Sequence, residues 1–282
     1  MQVSKILDDA GTHAETELKT PVKIEECEEF PPIDTLYVER RMWKKINDVV
    51  VVSADLKGST RLNFDKFAQS SARLYEAVTG NMTRIVDAFE PEFVDIQGDG
   101  LFALYHGDGR YRRALCAAIT LKTFSEHKLV PAIEASMSDR FPETGLKVGM
   151  AAGILAAKKV GVRDTNEPVW TGKPVNWATK CAAAADRNQL VVTRKVFQKF
   201  ANNDYVTHSC TCQTDPATGE RDPDAGTPSE LWTDTQVETL PQEDIDCKLL
   251  KSCWCPIHGD AFCTAILEGK TGRAEVMRPI AA

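Results

Sequence analysis

The run Val49-Val50-Val51-Val52-Ser53-Ala54-Asp55-Leu56-Lys57-Gly58-Ser59-Thr60 decides the fold. Four consecutive valines are typical of a central strand that is buried on both faces. The run then ends in an aspartate and a turn of small residues, which precedes a helical pattern. The backbone N–H groups of such a turn can bind phosphate without a side chain in the way. The run therefore predicts a buried strand that places a carboxylate and a phosphate-binding turn at one end of a sheet.

A second carboxylate occupies a tight turn further along the chain. Residues 93–97 alternate between apolar and polar as a strand does, Gly98-Asp99-Gly100 predicts a hairpin turn, and residues 101–105 predict the returning strand. Two carboxylates at strand ends, each near glycine, suit hard cations such as Mg²⁺ and Mn²⁺. Either aspartate alone is explained equally well as a turn or capping residue.

The pattern along the middle of the chain predicts an α+β fold with helices over one sheet. Apolar residues recur at helical spacing over residues 65–89 and again over 111–124, and residues 176–185 read as a third helix. Residues 146–162 are interpreted as two strands around a turn at Lys158-Lys159, and residues 189–193 as a last strand. The predicted order is β-α-β-β-α-β-β-α-β-α.

Changes in composition divide the chain into three parts. Residues 1–47 are charged and mixed and predict an N-terminal arm, and residues 48–208 contain the predicted strands and helices of the main domain. Residues 209–282 form a Cys-rich C-terminal extension, which starts with a loop rich in Pro, Asp, Gly and Thr at 213–229.

Composition excludes several classes of protein. The 282 residues include 34 Lys and Arg against 41 Asp and Glu, a net charge of −7, so sequence-independent binding to nucleic acid is not expected. A polyanionic ligand would then need a divalent cation to balance its charge. No window is apolar enough for a signal peptide or a membrane span, so we expect a cytoplasmic protein with no membrane contact. The nine cysteines argue against a disulfide framework, because their number is odd and they are scattered.

Three motifs in the same order resemble the class III nucleotidyl cyclase family. They are Asp55-x-x-Gly58-Ser59-Thr60 after the valine strand, Gly98-Asp99-Gly100, and residues 172–180, GKPVNWATK, which look like the family's G-x-x-V-N-x-A-x-R stretch. The resemblance covers roughly residues 47–208. It implies a ferredoxin-like antiparallel sheet with helices on one face, two bound divalent cations (Mn²⁺ or Mg²⁺), a nucleoside triphosphate substrate, and a homodimer with shared active sites.

The resemblance also implies a role for each matching residue. Asp55 and Asp99 match the two metal-binding aspartates, and Leu56 matches the position whose backbone carbonyl also meets a metal. Asn176 matches the asparagine that orients the ribose. Lys180 stands where the family usually has an arginine that neutralises charge in the transition state, and lysine keeps the charge without the bidentate fork. The phosphate-contacting turn corresponds to Lys57, Gly58, Ser59 and Thr60.

The positions that read the base depart from the purine cyclases of the family. Asp95 replaces a base-reading lysine, Val169 replaces its acidic partner, and the neighbouring Trp170 is bulky enough to narrow the pocket. This departure, with the tail at residues 254–263, resembles the pyrimidine cyclases of the bacterial Pycsar antiphage system. That likeness implies a cyclic UMP or cyclic CMP signal for a separate effector, with UTP favoured over CTP. A purine cyclase, a catalytically degenerate nucleotide-binding module and a two-metal hydrolase are the alternatives.

The C-terminal extension also contains residue types that bind zinc. Their spacing is not that of a standard zinc knuckle, and cysteine is also a common small buried residue, so ordinary packing is favoured over a structural zinc ion. The candidate ligands are Cys210, Cys212, Cys253, Cys255, His258 and Cys263.

Overall fold

A computed structural model describes residues 2–38, 41–59, 64–136, 143–161, 166–215 and 217–276, with the backbone alone at 64–68. Thr60, expected in the phosphate-contacting turn, lies outside the described residues. The chain divides into two compact units. The larger unit comprises Asp48–Ile154 and Gly172–Ala282, and the smaller unit comprises Met1–Asn47 and Leu155–Thr171.

Helices and strands alternate through the middle of the described chain. The helices are α1 (Val3–Lys19), α2 (Phe64–Asp87), α3 (Arg110–Phe124), α4 (Val130–Ser136), α5 (Lys173–Ala184), α6 (Arg194–Phe197), α7 (Asp204–Thr207) and α8 (Gly259–Leu267). The strands are β1 (Lys23–Cys27), β2 (Met42–Leu56), β3 (Phe93–Gln97), β4 (Gly100–Tyr105), β5 (Leu146–Val160), β6 (Glu167–Thr171), β7 (Gln189–Thr193), β8 (Gln213–Thr214), β9 (Arg221–Asp222), β10 (Trp232–Gln236) and β11 (Asp246–Leu250). None of the described helices is both long and apolar enough to cross a membrane.

A mixed sheet forms the centre of the larger unit, which confirms the α+β fold. Its strand order is β10-β11-β7-β5-β2-β4-β3. The pairs β2–β4, β3–β4, β7–β11 and β10–β11 are antiparallel, whereas β5 and β7 are parallel. The valine run of 49–52 lies in β2 and is fully buried, as its composition predicts.

The main core of the larger unit lies on one face of this sheet, where α2 and α3 pack together and against β4. Alternate residues of each strand point into it, as the two-residue period of a strand requires. The strand residues of this core include Val50, Val52, Ala54, Leu56, Leu101, Ala103, Tyr105, Val148, Met150, Leu190 and Val192.

Helix α5 packs on the opposite face of the sheet. A Cβ atom at Gly149 would lie 2.1 Å from the Ala178 carbonyl oxygen and 2.3 Å from the Ala182 nitrogen, so only glycine lets this helix approach so closely. Gly149 lies between Val148 and Met150, whose side chains point to the face of α2 and α3. The helix layer expected on one face is therefore made by α2 and α3, and α5 adds a second layer on the other.

The smaller unit contains α1, β1, β6 and the adjoining parts of β2 and β5. Within it, β1 runs parallel to the start of β2, and β6 runs antiparallel to the end of β5. The turn expected at Lys158-Lys159 is wrong, because Leu146–Val160 is one continuous strand. Both lysines pair with β6, opposite Val169 and Pro168, and the Lys159 N–H donates a hydrogen bond to the Tyr37 carbonyl at 3.1 Å.

Candidate active site

The end of β2 and the start of β4 bring Asp55 and Asp99 to the same end of the sheet's strands. Gly100 starts β4 against the end of β2, where a Cβ atom would lie 2.8 Å from the Ala54 carbonyl oxygen and 3.4 Å from Asp55 Oδ1. Asp99 precedes this glycine in the hairpin turn between β3 and β4. The close approach of the two backbones is therefore the reason that the two carboxylates share a site.

The carboxylate of Asp99 is poorly compensated by the surrounding protein. Its Oδ2 atom is buried and has no hydrogen-bond partner among the described residues. Burial, followed by the negative charges of Asp99 and Asp55, raises the pKa of Tyr75 on α2, so both carboxylates act on the same neighbour. A buried carboxylate oxygen without a donor is costly unless a cation meets it. These two residues fit a divalent-cation site on the chemistry of their oxygens.

Asp55 differs from Asp99 because it has a cationic partner. Lys147 Nζ lies 2.8 Å from Asp55 Oδ2, with 17% of the lysine side chain and 44% of the aspartate side chain exposed. Lys147 is the second residue of β5. The Lys147 ammonium reduces the net negative charge of the site by one, so the two aspartates do not face each other as two uncompensated charges.

The turn after β2 is held by the segment that precedes β5. The Lys57 N–H donates to the Gly145 carbonyl at 2.9 Å, and the Thr144 hydroxyl donates to the Lys57 carbonyl at 2.8 Å. Gly58 has φ +79°, and a Cβ atom there would lie 3.0 Å from the Glu143 carbonyl oxygen. The turn thus needs glycine at this position, and the amide of Lys57 is already used.

The Lys57 side chain also has partners. Its Nζ lies 2.5 Å from Asp186 Oδ1 and 3.1 Å from Glu143 Oε2. Hydrogen bonds to these two carboxylates raise the pKa of Lys57, and the bond from Lys57 lowers the pKa of Asp186. The Leu56 side chain is buried in the main core, so only its backbone could contact a ligand.

A cavity of about 200 Å³ adjoins Asp55 on the α5 face of the sheet. On the α5 side it is lined by Thr179, Ala182 and Ala183. Asn176 and Lys180 lie on the same helix and are absent from this lining. Asn176 is exposed, and Lys180 Nζ donates to the Thr239 carbonyl at 2.7 Å. Within one chain, these two residues are not brought to the aspartate pair.

Asp95 lies on β3, which ends the strand order of the larger unit's sheet on the side opposite to β10. Its carboxylate is partly buried, and Gln97 Nε2 donates to Asp95 Oδ2 at 3.0 Å. Residues 95 and 97 share one face of β3, as the sequence predicts, whereas Asp99 lies beyond the strand in the turn that begins at Gly98.

Val169 and Trp170 belong to β6 of the smaller unit. Val169 is 39% exposed and pairs with Lys158, and the Trp170 ring stacks on Phe30 with centroids 5.5 Å apart. Their part in base recognition stays a prediction.

Comparison with known proteins agrees with this geometry. The family model described as the adenylate and guanylate cyclase catalytic domain matches residues 42–214. The chain belongs to this cyclase family. It is a nucleotidyl cyclase, and the resemblance drawn from its three motifs is confirmed.

Two relatives of the cyclase align over nearly its whole length. Proteins called uridylate cyclase from Micromonospora echinofusca and Propioniciclava tarda are 42% and 39% identical to it. The alignments cover 98% and 96% of this chain and 88% and 86% of the relatives. Among solved structures, the adenylyl cyclase CyaB from P. aeruginosa has a TM-score of 0.55 at 12% identity, over 74% of this chain and 95% of that one, which supports the fold alone.

Sequence reasoning missed two residues of this cyclase: Lys147, which contacts Asp55, and Tyr75, whose pKa is raised by burial and by the charges of Asp99 and Asp55. Lys147 shares its strand face with Gly149, the residue on which α5 packs, so strand alternation could have placed it on the side of the site. Tyr75 lies on α2 among residues that the helical period assigns to the core side, and no motif distinguishes it.

Proposed function

We propose that this cyclase converts UTP to 3′,5′-cyclic UMP and pyrophosphate. The observation that carries the substrate assignment is Asp95, an acceptor where purine cyclases of the family have a base-reading lysine. Uracil presents an N3–H donor to such a carboxylate, whereas the corresponding edge of a purine can meet a lysine. The identities of 42% and 39% to relatives called uridylate cyclase support UTP over CTP, although a carboxylate could also accept from the cytosine amino group.

Asp55 and Asp99 would hold two divalent cations in this proposal, together with the backbone carbonyl of Leu56. The buried, unpartnered Oδ2 of Asp99 supports this role. When bound, such cations favour loss of the ribose 3′-hydroxyl proton and clamp the attacking and leaving oxygens. Lys147 Nζ holds Asp55 Oδ2, whereas Asp55 Oδ1 lies toward Gly100, so Oδ1 would be the oxygen offered to a cation.

The remaining residues orient the substrate for an intramolecular displacement. The 3′-oxygen forms a bond to the α-phosphorus, the bond from that phosphorus to the β-phosphate oxygen breaks, and pyrophosphate leaves. Asn176 orients the ribose, and Lys180 neutralises the charge that builds on the α-phosphoryl oxygens. The backbone amides of Gly58 and Ser59, in the turn that glycine permits at φ +79°, hold the triphosphate.

The proposal includes a homodimer with two shared sites. Asn176 is exposed, and Lys180 reaches Thr239 instead of the cavity beside Asp55, so the site lacks two of its expected groups within one chain. A two-fold related partner can present the same α5 surface to each aspartate pair.

We also propose that cyclic UMP acts as an antiphage signal for a separate effector in the cytoplasm. Support comes from the likeness to the Pycsar pyrimidine cyclases, which rests on the base-reading positions and the tail. The net charge of −7 fits this role, because it leaves no sequence-independent attraction to nucleic acid.

The test is a competition among the four nucleoside triphosphates at equal concentration with Mn²⁺, in which each cyclic product is quantified by mass spectrometry. We expect cyclic UMP to dominate, and the Asp99→Ala protein to give no product. Dominance of cyclic AMP or cyclic GMP would refute the pyrimidine assignment. Nucleotide binding without any cyclic product would favour a degenerate binding module.

A paired variant tests the base pocket itself. Asp95→Asn replaces the charged carboxylate by a neutral amide, whose carbonyl makes a weaker hydrogen bond to uracil N3–H, so we expect UTP turnover to fall roughly tenfold. Asp87→Asn removes an exposed carboxylate at the end of α2 and serves as the matched control. An equal loss in both variants would remove Asp95 from the pocket.

A further inference from the structure

We infer that Cys210, Cys212, Cys255 and His258 form a structural zinc site. The ion would join two segments of the C-terminal extension, the loop at residues 209–230 and the turn before α8. Their Sγ and imidazole nitrogen atoms all lie within 4.8 Å of one another. Three thiolates and one imidazole around a single point are a ligand set that zinc takes in closed, four-coordinate sites. The site is distinct from the aspartate pair, where the ligands are oxygens.

The distances between the ligand atoms suit a tetrahedral ion. Bonds of about 2.3 Å to sulfur and 2.1 Å to nitrogen put tetrahedral ligand atoms about 3.5–3.8 Å apart. Cys212 Sγ lies 3.5 Å from Cys255 Sγ and 3.2 Å from His258 Nδ1, and Cys255 Sγ lies 3.9 Å from the same nitrogen. Adjustments of a few tenths of an ångström therefore suffice for these three ligand atoms, and Cys210 Sγ lies within 4.8 Å of each of them.

Two of the ligands, Cys255 and His258, lie in the short turn at residues 255–259. The Gly259 N–H donates to the Cys255 carbonyl at 2.7 Å, and the Ile257 N–H points to Cys255 Sγ at 3.4 Å. The latter bond favours a thiolate at Cys255. The centroids of the Phe262 ring and the His258 imidazole lie 5.9 Å apart.

The other two ligands, Cys210 and Cys212, lie in a loop that is held by hydrogen bonds of the residue between them. Thr211, between the two cysteines, donates its hydroxyl to the Pro223 carbonyl at 2.7 Å and accepts the Gly226 N–H on its carbonyl at 2.6 Å. A Cβ atom at Gly226 would lie 2.7 Å from that carbonyl oxygen. Cys210 and Cys212 are thus held on either side of a pinned residue.

A metal ion explains how this part of the chain is ordered. None of the described residues between 209 and 230 is buried, so this loop has no apolar core of its own. A loop without an apolar core needs another source of stability. A bound zinc ion supplies it, because its binding free energy stabilises the folded form directly. The ion would join this loop to the turn before α8.

Two further cysteines expected among the zinc ligands lie elsewhere. Cys253 Sγ contacts Lys122 Nζ at 3.1 Å and Glu126 Oε2 at 3.2 Å. Cys263 lies against Cys116, whose thiol points to its carbonyl at 3.9 Å. Cys253 converges instead with Glu126 and His127, where the Lys122 ammonium already supplies a cation to Cys253 and Glu126. The structure therefore selects four of the six candidates and supplies a matched control in Cys253.

Metal analysis of the full-length protein, purified under reducing conditions, incubated with excess zinc and desalted, tests the site. We expect one zinc ion per chain in the wild type and in Cys253→Ser, and loss of that ion in Cys212→Ser and in His258→Ala. Replacement of zinc by Co²⁺ in the wild type should give thiolate-to-cobalt charge-transfer bands and the visible absorption of a tetrahedral ion. This second measurement does not depend on whether a variant folds.

Three results would overturn the inference. They are a wild-type protein that retains no zinc and shows no tetrahedral cobalt spectrum, an equal loss of zinc in Cys253→Ser and Cys212→Ser, and a Cys212–Cys255 disulfide in the protein after zinc incubation. The last would assign the two thiols to redox chemistry instead.

Discussion

Replacing each of the two site aspartates by alanine should affect catalysis equally and stability in opposite directions. Asp99→Ala removes a buried oxygen that has no hydrogen-bond partner among the described residues. Asp55→Ala instead leaves Lys147 without its ion-pair partner at 2.8 Å, although only 17% of that lysine side chain is exposed. Both variants should lose cyclase activity, because each lacks one carboxylate of the proposed cation site.

The expected magnitudes follow from these surroundings. A hydrogen bond to a charged group contributes about 1.5–3 kcal/mol, and partial exposure of Asp55 reduces this to about 1–2 kcal/mol for Asp55→Ala. Relief of an unpaired buried carboxylate should raise the free energy of unfolding of Asp99→Ala by about 1 kcal/mol. The melting temperature of a chain of this size changes by about 2 °C per kcal/mol, so the two variants should differ by roughly 4–6 °C.

Urea unfolding and thermal melts in EDTA measure the two stabilities, and the double variant Asp55→Ala/Lys147→Met identifies the cause. We expect the double variant to recover most of the lost stability and none of the activity. With Mn²⁺ added, the wild type should be stabilised and Asp99→Ala should not, because only the wild type keeps the full ligand set. Equal destabilisation in both single variants, or substantial turnover by either, would refute this reading of the site.

Three further results are expected. Gly100→Val should cost about 1–3 kcal/mol of stability and lower turnover at least tenfold, because its Cβ would meet the Ala54 carbonyl at 2.8 Å and shift the aspartates apart; urea unfolding and initial rates measure both. Lys180→Arg should retain or raise turnover and Lys180→Met should lower it about a hundredfold, since arginine keeps the charge and adds the bidentate fork; a steady-state assay in which both variants behave alike would contradict this. Asp55→Ala and Asn176→Ala proteins, each inactive alone, should regain activity when mixed and allowed to exchange subunits, and no recovery after verified exchange would rule out shared sites.

The elements that carry the two aspartates were predictable because their decisive signals are local, whereas β10 and β11, which extend the same sheet, were not predicted from the extension. Four valines in a row, a Gly-Asp-Gly turn and the helical period of 65–89 each specify an element without knowledge of its partners. The structure confirms these elements in β2, in the β3–β4 hairpin and in α2. The two candidate metal ligands are predicted from these elements, because Asp55 lies at the end of a predicted strand and Asp99 lies in the turn between two others.

The end of β5 was not predictable in this way. A Lys-Lys pair is common in turns, yet Lys158 and Lys159 pair with β6 and continue the strand. No local sequence pattern predicts that these two segments pair. The contact of Lys147 with Asp55 is non-local for the same reason.

The cysteines show how sequence can supply candidates without choosing among them. Residue type alone permits six zinc ligands in the extension. Selection of four depends on which side chains converge, and Cys253 is diverted to Lys122, a fully buried lysine. Such a buried ammonium needs an anionic or polar neighbour, and the sequence around Lys122 gives no sign of its burial.

The most direct measurement of the central claim is the product balance of the wild-type protein with UTP and Mn²⁺. Cyclic UMP and pyrophosphate are quantified in the same samples over the initial rate, with the Asp99→Ala protein as the blank. We predict one pyrophosphate for each cyclic UMP at every time point, and neither product in the blank. Release of UDP, UMP or pyrophosphate without an equal amount of cyclic UMP would contradict an intramolecular cyclisation at the aspartate pair.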